Sequence, residues 1–276
     1  MPPGLEEALD FPIGPRTPAR NTTRLIELLR PLTDAGVPLS TVLLEGMGRF
    51  PVAGIAHYSD DWGNPRFTPK PHLHKGLDIF ADFGTPIRAP VDGVISQLSD
   101  SGAGGIAVWM RDTAGTSYYF AHMLERAEGL AVGTRVGIGS LLGYVGDTGN
   151  AAGGTPHTHM QIEQGGGPIP PKTIVDEWLD EAEGLAPSWV EARRREIEAA
   201  RGRMQAPTEE DPSAHAPETS MLLTLLDPIG GSVALVPSLR IHEKRAPDQL
   251  SDRIVQRLID ERVGGGLFAP KAQIGD

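Results

Sequence analysis

The apolar positions along this chain follow a helical period at first, then an alternating one, then a helical one again. Residues 1–20 are proline-rich and unpatterned, as expected of a loose arm. From Asn21 onward, Leu25, Ile26, Leu28, Leu29 and Leu32 recur at the spacing of one buried helix face, with Asn21 or Thr22 placed to cap it. Pro31 and Gly36 limit that helix. A second apolar piece, Val42-Leu43-Leu44, leads to Phe50-Pro51-Val52-Ala53-Gly54, where strand-like patterning begins.

Short β-branched and apolar runs then follow, separated by glycine and proline. They are Gly93–Ser96, Ile106–Met110, Ser117–His122, Leu141–Val145 and His157–Glu163, and each predicts a strand. Asp112-Thr113-Ala114-Gly115 predicts a hairpin turn between two of them. After Gly165-Gly166-Gly167 the helical period returns. Thr173–Asp176 and Ser188–Glu191 both have the spacing of a capping box, which predicts two helices, the second starting after Pro187 and running to about Met204. Its Arg193, Arg194 and Arg195, set among Glu191, Glu196 and Glu198, make a solvated face.

These elements predict a mainly β core, an antiparallel sheet of barrel-sandwich character, with flanking helices and a small α/β C-terminal extension. The expected division is an N-terminal arm and helix over 1–48, the β domain over 49–184, and a helix with an acidic linker over 185–219. A small module of unknown role, with a helix face of Leu250, Ile254, Val255, Leu258 and Ile259, is expected over 220–276.

Composition narrows the chemistry. The chain has 276 residues, 34 of them Gly and 25 Pro, and no cysteine. Thiolate metal sites and disulfides are therefore excluded, and any zinc must be held by histidine and carboxylate. A net charge of −11 argues against a nucleic-acid partner. No run has the roughly 18 apolar residues of a membrane span. Met1–Glu7 shows neither a positive start nor an apolar segment, so no secretory signal is visible.

Of the eight histidines, five fall between residues 72 and 163. Side chains two apart in a strand share a face, so His157, His159, Gln161 and Glu163 are expected on one side and Thr158, Met160 and Ile162 on the buried other. The neighbouring imidazoles are well placed to share a metal or a substrate. His74 and Asp78 add a histidine and a harder ligand four residues apart, with Gly76 between them as a bending point. A histidine and an aspartate from one segment and one histidine from another make three ligands, the usual number at a hydrolytic zinc with an open fourth position. His122, at the end of a strand, is the remaining histidine able to reach that open side. His72 is expected to face solvent, and His57, His215 and His242 carry no motif.

The set His74-Lys75-Gly76-Leu77-Asp78, lone His122 and His157-x-His159 resembles the M23 family of zinc peptidases, the lysostaphin- and LytM-type peptidoglycan endopeptidases. Asp61-Trp62-Gly63, Asp78–Ala81, Gly84-Thr85-Pro86, Ala89–Gly93 and Gly143–Gly149 add to the likeness, which covers roughly residues 50–180. The resemblance implies that His74, Asp78 and His159 ligate Zn2+, that His122 and His157 are catalytic without binding metal, and that the substrates are peptides of the bacterial cell wall. It implies an extracytoplasmic substrate, and with no signal visible the route is left open between secretion, phage release and a virion. Some members carry a tyrosine shortly before the first ligand, where this chain has Thr68.

Two other readings use the same residues. Ala89–Ile95 and Gly133–Gly139 also look like biotinyl and lipoyl carrier domains, but no lysine lies between Lys75 and Lys172 to hold such a cofactor. A catalytically inactive member that binds wall peptides or activates a partner hydrolase would share the fold. Such copies usually lose ligands, and here all five positions are filled.

Overall fold

The computed structural model describes residues 16–67 and 70–205. Strand β1 (Arg20–Asn21) leads into α1 (Thr23–Asp34), which buries Leu25, Leu29 and Leu32 as its spacing predicts. The helix runs through Pro31 and stops just before Gly36, whose φ of +90° is left-handed. Thr22 does not cap it. Its hydroxyl is buried, donating to the Gly54 carbonyl and accepting from the Ala56 amide, so it ties the helix start to the sheet. Val42-Leu43-Leu44 belongs to a second helix, α2 (Leu39–Gly46).

The sheet is built from β2 (Ala56–Tyr58), β5 (Leu77–Ala81), β6 (Pro86–Arg88) and β7 (Gly93–Asp100), with β3 (Pro65–Arg66) and β4 (His72–Leu73) pairing as a separate ribbon. It continues through β8 (Ile106–Arg111), β9 (Ser117–Arg126), β10 (Arg135–Val136), β11 (Leu141–Val145), β12 (His157–Gln164) and β13 (Gly167–Ile169). All pairings are antiparallel, in the order β1-β2-β5-β12-β9-β8-β7-β10, with β11 joining β6 to β9 and β13 attached to β12. The mainly antiparallel core with flanking helices is as the alternation predicted. The Asp112–Gly115 turn closes the β8–β9 hairpin, with Gly115 at φ +89°.

Strand β9 is the bent member. Its first half, Ser117–Ala121, pairs with β12, and its second half, from Met123, pairs with β11. Such a change of partner folds one sheet over on itself, and the core lies in the fold. Ile79, Ile87, Ile95, Val108, Phe120, Met123, Val145 and Met160 are buried there with Leu25, Leu29 and Leu32 of α1.

The third helix, α3 (Lys172–Gln205), corrects the expectation of two helices. It continues through Pro187, and Ser188 donates back to the Leu185 carbonyl instead of capping a new start. Proline removes one helical N–H, but Val175, Trp178, Leu179, Ala182, Ala186 and Val190 form an unbroken apolar stripe on the core. Burial of that stripe, at about 25 cal/mol per Å2 of apolar surface, outweighs one lost hydrogen bond. The expected boundary at 184/185 therefore falls inside a helix. Tyr58 donates to Asp176 at 2.8 Å, and Lys172, not Thr173, pairs with that carboxylate in the first turn. The described residues up to Glu198 belong to one compact unit, and beyond them only the end of α3 is described. The arm over 1–15, the acidic linker and the module over 220–276, with His215 and His242, lie outside the described residues.

Candidate metal centre

Strand β12 alternates as its sequence requires: Thr158, Met160 and Ile162 are buried, while His157, His159, Gln161 and Glu163 face the other way. Antiparallel pairing sets His159 opposite Asp78 and His157 opposite Phe80 on β5. On β5, Leu77 and Ile79 point into the core, so Asp78 shares the face of His159. His74 arrives just beyond the β3–β4 ribbon.

Three donor atoms converge. His74 Nε2 lies 2.8 Å from His159 Nδ1, His159 Nδ1 lies 3.0 Å from Asp78 Oδ1, and His74 Nε2 lies 3.1 Å from the same oxygen. Zinc bonded tetrahedrally to such donors at 2.0–2.2 Å would separate them by about 3.3 Å. The triangle is close to that size, its donors are the imidazole and carboxylate atoms zinc takes, and one side opens to a cleft. The residues fit a zinc ion.

Gly76 has a role different from the expected bend. Its φ is not left-handed, but a Cβ added there would lie 2.4 Å from His159 Cε1 and 2.6 Å from the Met160 carbonyl oxygen. The glycine makes room for the ligand ring. Gly76→Ala is expected to weaken zinc affinity at least about tenfold, within the range found on loss of a ligand's support. Competition titration against a chromophoric chelator measures this, and an unchanged affinity would show that the ring can shift freely.

A second layer holds these ligands. His74 Nδ1 lies 3.1 Å from the Asp61 main-chain oxygen and 3.1 Å from Asp61 Oδ2, and neither can donate, so Nδ1 carries the hydrogen and Nε2 is left for metal. Arg66 Nη2 bridges Asp61 Oδ2 at 2.9 Å and Asp78 Oδ2 at 2.7 Å, leaving Asp78 Oδ1 toward the other ligands. Burial alone would disfavour charge at each member. At Asp78 the hydrogen bonds from His159 and His74 override it and hold the carboxyl far below the carboxylate range. At His74 burial is outweighed by Asp61 and Asp78, which raise it to about 9, whereas at His159 burial wins and lowers it.

His122 reaches the cleft by an irregularity. Tyr119 and Ala121 face the cleft and Phe120 the core, so strict alternation would turn the next side chain inward. Instead Ile106 pairs with Met123 and Val108 with Phe120, which places one extra residue in β9 at Ala121–His122. His122 takes φ 59°, the only left-handed non-glycine among the described residues, and Met123 occupies the core. A bulge that re-aims a side chain beside a site is a recognised use of this device. Thr148 latches it: its Oγ1 donates to the Met123 carbonyl at 2.7 Å and accepts from the Ile106 amide, and its own carbonyl accepts from His122 Nδ1 at 2.8 Å.

His157 Nδ1 likewise donates to the Thr155 carbonyl at 2.8 Å. Both imidazoles thus offer Nε2 as an acceptor when neutral. Their rings lie 4.9 Å apart, and His122 lies 6.1 Å from His159. Burial pushes His122 down to about 4, so it is neutral at physiological pH.

The cleft, about 360 Å3, is lined by Arg66, His74, Asp78, Tyr119, His122, Asn150, His157 and His159, together with Phe67, His72 and small residues. All five histidine and aspartate positions singled out from sequence meet there. His57 stacks on Phe80, which tilts against His157, so it borders the site through one ring. His72 is half-buried at the rim, with Nδ1 donating to the Lys70 carbonyl. Asp61, Arg66, Tyr119 and Thr148 were not singled out. Asp61 stood in a quoted motif, and strand alternation on β9 points Tyr119 to the cleft. Thr148 likewise stood in the quoted Gly143–Gly149 stretch, and nothing local marks Arg66.

Residues 72–171 match the sequence profile described as Peptidase family M23. The L-Ala--D-Glu endopeptidase of Bacillus subtilis is 32% identical over 122 residues, which are 42% of this chain and 37% of that protein. The DD-carboxypeptidase/endopeptidase Mpg of Neisseria meningitidis serogroup B is 38% identical over 105 residues, 37% of this chain and 23% of that protein. The chain thus spans about a third and a quarter of these two relatives. Among solved structures, the catalytic domain of lysostaphin from Staphylococcus simulans is 24% identical, covering 42% of this chain and 89% of that chain at a TM-score of 0.38. The profile match spans every donor of the metal triangle and both cleft histidines. Residues 72–171 of this chain are a domain of peptidase family M23.

Proposed function

We propose that the chain is a zinc-dependent endopeptidase that hydrolyses peptide cross-links or stem peptides of bacterial peptidoglycan. One observation carries the proposal: two imidazoles outside the metal triangle line the cleft beside it, each held through Nδ1 by a backbone carbonyl. The two relatives, named an L-Ala--D-Glu endopeptidase and a DD-carboxypeptidase/endopeptidase, support the substrate class.

Zinc held by His74, Asp78 and His159 would supply a Lewis acid that lowers the pKa of water to about 7 and polarises a carbonyl. The protein's own groups do the rest. His122, kept neutral by burial and oriented by Thr148, accepts the proton of the attacking water at Nε2. His157, anchored through Nδ1 on Thr155 and packed against the His122 ring, is the second imidazole at the cleft and faces the developing oxyanion. Arg66 balances the charges of Asp61 and Asp78 at the floor of the cleft.

Proton competition sets the expected pH dependence. Without metal, His74 stays protonated up to about pH 9, so zinc uptake at pH 7 should release about one proton. Affinity should fall as pH drops below that value, and activity on the acid side should follow metal retention, since His122 remains neutral down to about pH 4. Calorimetry in buffers of different ionisation enthalpy counts the protons, and zero release would contradict a protonated His74.

Function is tested by mass spectrometry of muropeptides before and after digestion of purified peptidoglycan, with a chelator control. Chelator-sensitive cleavage of peptide bonds is the expected result. Binding without cleavage by the zinc-loaded protein would favour the inactive, wall-binding alternative. The substrate is extracytoplasmic on this proposal, and no helix among the described residues is long and apolar enough to cross a membrane.

A further inference from the structure

Tyr119 stands two residues before Ala121 on β9, on the strand face that lines the cleft. Its cross-strand partner is Gln161, whereas that of Ala121 is His159. The ring therefore starts one residue pair away from the metal-ligand row and leans toward it. A Cβ added at Gly104 would lie 1.9 Å from the Tyr119 hydroxyl oxygen and 3.3 Å from the Ala121 Cβ. The absence of a side chain at Gly104 is what leaves room for the hydroxyl.

Two rings fix this orientation. Trp109 stacks on Tyr119 with centroids 4.4 Å apart, and His159 meets it edge-on at 6.1 Å. His122 meets His159 at the same 6.1 Å. Tyr119 precedes Ala121 along β9 and His122 follows it, so two cleft-lining residues flank the cross-strand partner of His159. Tyr58 and Tyr118 donate their hydroxyl hydrogens to Asp176 and Asp112. The Tyr119 hydroxyl makes no hydrogen bond among the described residues. A half-buried phenol held rigidly in a cleft with its donor unused is poised for a ligand acceptor.

We propose that Tyr119 is a further catalytic residue, its phenol donating a hydrogen bond to the carbonyl oxygen of the bound peptide and to the tetrahedral oxyanion formed from it. This rests on the peptidase function above. The hydroxyl keeps its proton throughout and no covalent bond to the protein forms. Donors fixed in advance at a developing negative charge are effective because they need no reorganisation.

The test compares wild type, Tyr119→Phe and Gly104→Ala as zinc-loaded full chains. It reads zinc stoichiometry, kcat and KM on a peptidoglycan-derived peptide, and the Kd of inorganic phosphate, a tetrahedral oxyanion, by calorimetry. Tyr119→Phe keeps the Trp109 stack and should retain zinc while kcat falls about 100-fold with KM nearly unchanged. Phosphate binding should weaken about tenfold, as loss of one hydrogen bond predicts. Gly104→Ala, which displaces the hydroxyl, should reproduce both effects. Unchanged kcat and phosphate affinity in Tyr119→Phe would overturn the assignment. If wild type binds phosphate but cleaves no peptide, the peptidase function fails, and the phosphate comparison alone then decides whether Tyr119 contacts an oxyanion.

Discussion

His159→Ala is expected to leave the protein folded and unable to retain zinc. The ring supplies Nδ1, the donor closest to His74 Nε2 and Asp78 Oδ1, and the other two imidazoles beside the triangle, His122 and His157, are each committed through Nδ1 to a backbone carbonyl. The affinity loss should exceed the roughly 10–100-fold that follows loss of a ligand's outer partner, with hydrolysis falling to background. The fold should survive, because the buried face of β12 is made by Thr158, Met160 and Ile162, and Asp78 keeps its Arg66 partner. Metal analysis after dialysis, with circular dichroism as the control, measures the effect. Full zinc retention would mean that the ligand set has been misassigned.

The second large effect separates chemistry from metal binding. His122→Ala should keep zinc at wild-type stoichiometry and lose turnover by about 10²–10⁴-fold, the usual contribution of a positioned acid or base. His122 is outside the group of His74, Asp78 and His159 whose donor atoms converge, and its Nδ1 is committed to Thr148. Loss of zinc in this variant would move His122 into the ligand set. Retention of both zinc and activity would remove it from the mechanism.

How much of this was legible differs from element to element. The strands at Leu141–Val145 and His157–Gln164 were readable nearly to the residue, because apolar alternation bounded by glycine reflects burial of one face. The helix at Leu39–Gly46 was not: eight residues with one buried side chain, Val42, leave too short a stripe to show a period. The helix through Pro187 was read as two, since a local stop signal competed with an apolar stripe whose partner surface is not local. At the site, the five histidine and aspartate positions that line the cleft were legible from motif spacing, while their division into candidate ligands and free histidines came from the family resemblance. Arg66 was not, since its significance lies in two carboxylates that approach it only after folding.

The sequence by itself determined which groups are available for chemistry, and the pairing of β5 with β12 turned them into neighbours. Alternation alone settles that His157 and His159 share a face. Alternation alone would also have turned the His122 side chain into the core. Only the tertiary structure decided that it faces the cleft, because the bulge arises where β9 leaves β12 for β11 and Thr148 holds both strands' irregular amides and carbonyls in place. Hydrogen bonds between residues 25 or more positions apart have no local signature, and here they choose the direction of the His122 side chain.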